Sequence, residues 1–244
     1  MLAKAKRAGV NAVKLLIHYN PEASAVTLAH QRQLARSVGA ACEREDIPFL
    51  LELMTYPIGE PAADTPEFAR WRPQHTIASA REFSRDEYRA DVLKLEFPAD
   101  LKYAREFCAG TFDGRERPAV YTLAEVKEFC RLLNAAARRP WVILSGGVEI
   151  AEFLVSLELA ADAGASGFLC GRAVWQDALP RYPDLTSMRV FLEREGVQNF
   201  QRANAAAERA TPWFAHPWVG GWERVRLPEG DDTWYLEYDA EAWD

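Results

Sequence analysis

The sequence predicts a parallel α/β fold, either a barrel or a doubly wound sheet. Two observations point there. Short runs rich in large apolar residues alternate with longer stretches of helical periodicity, the pattern of repeated βα units. In addition, three successive strand runs each carry one long charged residue in an otherwise apolar setting.

AVKLLIHY, residues 12–19, is the first predicted strand, and residues 25–45 follow with helical rotation of apolar and polar positions. PFLLELMTY, 48–56, is the second strand, followed by a weaker helical pattern over 65–83. DVLKLEF, 91–97, is the third. Thr122 with Glu125 three residues on forms a capping box that opens the helix TLAEVKEFCRLLNAAA. WVILS, 141–145, is the fourth strand. The helix that follows, from 149, ends at Gly164, a residue type suited to a left-handed C-cap. GFLCG, 167–171, is the last strand of the series. Further on, WERVRLPEGDDTWYLEYD reads as two short strands around a Pro-Glu-Gly-Asp-Asp turn, a hairpin.

Composition narrows the function. The chain of 244 residues is 49% hydrophobic, enough for a substantial core. Its net charge of -7 argues against nucleic-acid or membrane-surface partners, which call for a basic balance or stripe. Four cysteines lack C-x-x-C spacing and a neighbouring His pair, so neither a zinc site nor a disulfide framework is expected. A reduced, cytoplasmic protein is the expectation. No apolar run reaches the about 20 residues of a membrane span. Lys14 interrupts the N-terminal apolar run and no small-residue cleavage site follows, so a signal peptide is not expected.

Lysine is rarely buried without a partner, so Lys94 within DVLKLEF asks for a reason. Side chains alternate across a strand. Leu93, Leu95 and Phe97 share one face of this run, and Val92, Lys94 and Glu96 share the other. Lys14 lies opposite Val13, Leu15, Ile17 and Tyr19, while Glu52 shares a face with Leu50 and Met54. With the apolar faces against outer helices, Lys14, Glu52 and Lys94 converge on one lumen. A lysine amine attacks a carbonyl only when neutral, whereas a free lysine has a pKa of about 10.4. Burial beside a second cation favours loss of that proton, and a carboxylate can shuttle it. The plain alternative is a structural ion pair with a spare lysine.

Two glycine-bearing turns follow the last two strands. Ser145, Gly146 and Gly147 stand between a strand end and a helix start, and Gly171 and Arg172 occupy the matching place after the next strand. Glycines let backbone approach a ligand, helix N-termini attract anions and Arg grips phosphate oxygens bidentately. In many (β/α)8 barrels the loops after strands seven and eight form such a phosphate site.

The segments AVKLL, EDIPFLLEL, DVLKLEFP, PWVILSGGV and GASGFLCGRAVW, in this order, resemble the class I tagatose 1,6-bisphosphate aldolase family, a group that also holds sulfofructose-phosphate aldolases. The likeness runs from about residue 8 to about residue 210 and implies a (β/α)8 TIM barrel. It implies that Lys94 is the Schiff-base lysine on strand six, Glu52 the proton-transfer glutamate on strand five and Lys14 a second active-site lysine on strand four. Ser145, Gly146, Gly147, Gly171 and Arg172 then form the phosphate loops. The implied reaction needs no metal or other cofactor. It cleaves a ketohexose bisphosphate reversibly into dihydroxyacetone phosphate and glyceraldehyde 3-phosphate, so the partner is a phosphosugar.

The five strands correspond to strands four to eight. Strands one to three, with an Asp-containing motif, have no counterpart, so a longer parent chain is expected. Residues 1–210 read as this incomplete barrel domain and 211–244 as a C-terminal extension. The extension holds Trp213, Trp218, Trp222, Trp234 and Trp243. It reads as an appendage packed on the domain or as a subunit interface, which leaves a homo-oligomer open. A sulfonated ketose phosphate as substrate, or a catalytically silent phosphosugar-binding protein, are the other readings the residues allow.

Overall fold

A computed structural model describes residues 2–59 and 62–226. Five parallel strands form one sheet: β1 Val13–His18, β2 Phe49–Met54, β3 Val92–Leu95, β4 Trp141–Leu144 and β5 Phe168–Leu169. Helix α1, Leu2–Arg7, precedes β1. The crossovers carry α2 Ala25–Arg44, α3 Pro66–Phe83, α4 Leu123–Ala136 and α5 Ile150–Ala163. After β5 come the short α6 Arg172–Trp175, α7 Leu185–Phe191, a π-helical turn Leu192–Gly196 and α8 Val197–Ala206.

The strand order is β1-β2-β3-β4-β5, with no reversal. That decides between the two predicted architectures. A doubly wound sheet reverses its order at a switch point and puts helices on both faces. A sheet that always steps the same way through right-handed crossovers keeps its helices on one face, as a barrel does. The fold is that of a (β/α)8 barrel, of which the described residues hold five strands. The predicted strands all form, but β5 keeps only Phe168 and Leu169 of the expected 167–171.

The helices cover the face carrying Leu51, Leu53, Leu93, Leu95 and Ile143, all buried. Trp141 fills the same layer, and its indole N–H donates to the Asn134 side chain on α4 at 2.9 Å. The capping box at Thr122 and Glu125 starts α4 as its spacing predicts, and Gly164, at φ 112°, ends α5 in the left-handed region. The expected hairpin starts differently: Trp222–Arg224 is a 3-10 turn, and most of the expected hairpin lies outside the described residues.

Two carboxylates, the half-buried Asp91 and the buried Glu96, fasten β2 to β3 at either end. Below, Asp91 accepts the backbone N–H of Phe49 at 2.8 Å. Above, Glu96 accepts both the backbone N–H and the hydroxyl of Thr55, at 2.5 and 2.8 Å, and pairs with Arg72 of α3 at 3.2 Å. Glu96 therefore does not join Lys94 on the lumen face. The strand stops at Leu95, the alternation stops with it, and the carboxylate turns to Thr55 and Arg72.

Helix α2 meets the turn before β3 at Gly39. A Cβ there would lie 2.0 Å from the Tyr88 carbonyl oxygen, a backbone atom with no freedom to yield. Gly39→Ala is expected to destabilise the fold by about 2–3 kcal/mol through overpacking, read as a lowered urea midpoint with an unchanged slope.

Candidate active site

Parallel register sets Leu16, Glu52 and Lys94 level with one another across β1, β2 and β3. Glu52 and Lys94 are thus direct neighbours on the lumen face. Lys14 is level with Leu50, one side-chain layer lower, and its long stem reaches up. The three meet at one carboxylate. Lys94 Nζ lies 2.8 Å from Glu52 Oε1, and Lys14 Nζ lies 2.8 Å from Oε2. Glu52 is nearly sealed, at 8% side-chain exposure, while Lys94 keeps 17% and Lys14 48%. Burial pushes the Glu52 carboxyl up, but the two ammonium groups outweigh it and hold it below its ordinary range. The centre is anionic at one residue, cationic at two and open to solvent mainly on the Lys14 side.

A cavity of about 490 Å³ lies over this centre. Its wall includes Lys14, Glu52, Lys94, Ser145, Gly146, Gly171 and Arg172. Gly146 and Gly147 take φ values of 62° and 84°, which turn the chain sharply after β4. Gly147 is not in the wall but backs it: a Cβ there would meet the Arg172 guanidinium at 2.9 Å. The two turns are therefore in contact, with Arg172 laid against the glycine. Gly171 precedes the first turn of α6. All the residues expected at the site except Gly147 thus line this one cavity, whose glycine turns stand at the C-terminal ends of β4 and β5, the end where (β/α)8 enzymes hold their chemistry, while Lys14 reaches it from near the start of β1.

Leu50 and Met54, expected on the face of Glu52, are in the wall; sequence reading missed Leu144, Leu169, Cys170 and Trp175. Trp175 follows Arg172 by three residues on α6, so a helical reading of GRAVW would have placed both on one side. His18, at the end of β1, is not in the wall, and its carbonyl accepts from the Gln31 side chain at 2.6 Å. Among the described residues no group of three or more His, Cys, Asp or Glu side chains is placed to hold a metal ion. No described helix is long and apolar enough to cross a membrane.

With this geometry in hand, known proteins give a family. The profile of the DeoC/LacD family aldolases matches residues 1–177. The chain belongs to the DeoC/LacD aldolase family. Tagatose 1,6-diphosphate aldolase of Staphylococcus haemolyticus is 34% identical over 215 residues, 86% of this chain and 64% of the relative. The enzyme of that name from Lactococcus lactis is 32% identical over 213 residues, 85% of this chain and 63% of the relative. The chain thus spans less than two thirds of the length of these relatives. Among solved structures, fructose-bisphosphate aldolase from Plasmodium falciparum superposes with a TM-score of 0.56 at 15% identity, over 86% of this chain and 62% of that one. The Slackia heliotrinireducens fructose-bisphosphate aldolase gives 0.50 at 21%, over 85% and 57%. At such identities these two speak for the fold alone.

A second cavity shares Leu144, Ser145 and Gly146 with the first and is lined by Glu152, from the first turn of α5. Glu152 is buried, and burial pushes its carboxyl up to about 7, against the pull of Lys102. The folded protein therefore binds a proton there that the unfolded chain releases near its ordinary value. Stability contributed by this group falls as pH rises from about 4.3 to about 7. Glu152→Gln is expected to match the parent protein near pH 4 and to exceed it by up to about 3 kcal/mol above pH 7, read from denaturant titrations at both pH values. An equal effect at the two pH values would contradict this.

Proposed function

We propose that the protein is a Schiff-base aldolase acting on a phosphorylated ketose, with D-tagatose 1,6-bisphosphate as the favoured substrate. The observation that carries the reading is the single buried carboxylate held between two lysine amines on the lumen face. The two glycine turns and Arg172, in the same cavity wall, support a substrate phosphate beside it.

The chemistry follows from the distances. Lys94 loses a proton to Glu52, and its nitrogen lone pair adds to the ketone carbon. The carbonyl oxygen takes the proton from Glu52, and Glu52 then removes one from the new C–N nitrogen, giving a neutral carbinolamine. Glu52 delivers that nitrogen-derived proton to the hydroxyl, which leaves as water, and the nitrogen lone pair forms the iminium. The bond between C3 and C4 then breaks. Its electron pair flows to the iminium nitrogen, the C4 hydroxyl gives up its proton to a base, and glyceraldehyde 3-phosphate departs. The enamine left on Lys94 takes a proton at C3, and water returns dihydroxyacetone phosphate and the free amine. Lys14, on the other oxygen of Glu52, keeps that carboxylate aimed and sets a cation beside the developing oxyanion. Lys94, Glu52 and Lys14 are the proposed catalytic residues. Ser145, Gly146, Gly147, Gly171 and Arg172 are the proposed phosphate cradle, with Gly147 acting by giving Arg172 room.

Borohydride reduction in the presence of dihydroxyacetone phosphate, followed by digestion and mass spectrometry, is expected to place a stable adduct on the peptide carrying Lys94. Lys94→Met should abolish adduct and turnover with the circular dichroism unchanged, and near-normal turnover would refute the assignment. Arg172→Ala should raise KM for the bisphosphate about tenfold to a hundredfold, the size of one or two lost charge-assisted hydrogen bonds, with a smaller change in kcat.

A further inference from the structure

A groove of about 440 Å³ lies on the helix side of the sheet, where α2 and α3 flank one another. Helix α3 packs along α4, and α4 along α5. Between α2 and α3 the gap is lined instead by four arginines from three separate parts of the chain: Arg32 on α2, Arg81 and Arg85 at the end of α3, and Arg138 after α4. One carboxylate, Glu82, lines the groove with them. It is already committed, to Arg32 at 3.0 Å, to Arg85 at 3.5 Å and to the Tyr88 hydroxyl. Among the described residues, the guanidinium groups of Arg81 and Arg138 have no ion-pair partner within 4.0 Å.

This excess is local. The chain as a whole carries -7, yet four guanidinium groups face one groove, and among the described residues their carboxylate partners are Glu82 and, 2.8 Å from Arg85, Glu87, which also holds Arg36 at 2.7 Å. Like charges gathered across a helix–helix gap repel, and a bound anion is the simplest neutraliser. Guanidinium is planar and matches phosphate oxygens two at a time. A gap of this size admits a ligand carrying more than one phosphate. The inner end is polar as well: Arg32 donates to the hydroxyl of Tyr19 at 3.2 Å, and Tyr19 directly follows β1, the strand that carries Lys14. The groove lies across the sheet from Lys94, so its occupant is not the substrate of the lumen.

We infer that the α2–α3 groove is a second anion site, taking a small ligand with two or more phosphate groups. It stands independently of the aldolase reading.

Isothermal titration of inorganic pyrophosphate into the full chain carrying Arg172→Ala, which weakens the proposed cradle on the lumen side, tests it. Saturable binding is expected, weakening as salt rises. Removing both exposed groups, Arg81→Ser with Arg138→Ser, should lower that affinity about tenfold for each guanidinium lost, with the circular dichroism unchanged. The paired Arg81→Lys, Arg138→Lys variant should retain part of it, since charge is kept while the bidentate geometry is lost. A sugar bisphosphate and a nucleoside triphosphate, titrated in parallel, distinguish the source of the phosphates. Absence of saturable binding at millimolar pyrophosphate, or binding indifferent to the serine pair, would overturn the inference. So would a preference for duplex DNA over all three small anions.

Discussion

One carboxylate organises the candidate site. Glu52 is buried at the centre of β2, and a bare carboxylate there would be costly. Lys94 from one neighbouring strand and Lys14 from the other make it tolerable, and it in turn makes them tolerable. The cluster exists only in one register. A slip of one residue between β2 and β3 would send Glu52 or Lys94 into the layer beneath the helices. The pairs that prevent the slip lie at the two ends of these strands: Asp91 on the Phe49 amide and Glu96 on Thr55. Two structural carboxylates thus hold Glu52 in register with its lysines.

Much of this is legible in the sequence alone. Strand alternation put Lys94 and Glu52 on the polar face because each lies within an uninterrupted strand, where the period of two holds. It failed at Glu96 for the converse reason, the strand ending one residue earlier. Alternation also could not tell that Lys14 starts a layer lower, since relative register between strands is not written in either one alone. The glycine turns were readable as turns, but the contact of Gly147 with Arg172 joins residues separated by a whole βα unit, and no local pattern encodes that. The choice between barrel and doubly wound sheet likewise waited for the strand order. The arginine groove was invisible for the same reason: its members are scattered through the chain, and the overall acidity masks them.

Charge is partitioned across the sheet. The lumen side gathers Lys14, Lys94 and Arg172 around one glutamate, and the helix side gathers the arginines of the α2–α3 groove. Both gather basic side chains on a chain whose net charge is -7. In such a field an anionic ligand gains most where local cations are shielded from competing carboxylates, which favours enclosed pockets over open surface.

The guanidinium laid against Gly147 has a consequence for sequence drift. A methyl group at 147 would need the space that Arg172 fills. The two positions, in different loops, are therefore one steric unit. A lineage that enlarges the first must swing the guanidinium aside and so give up its place in the cavity wall, and it must also bear a side chain at a φ of 84°, where glycine alone is unstrained.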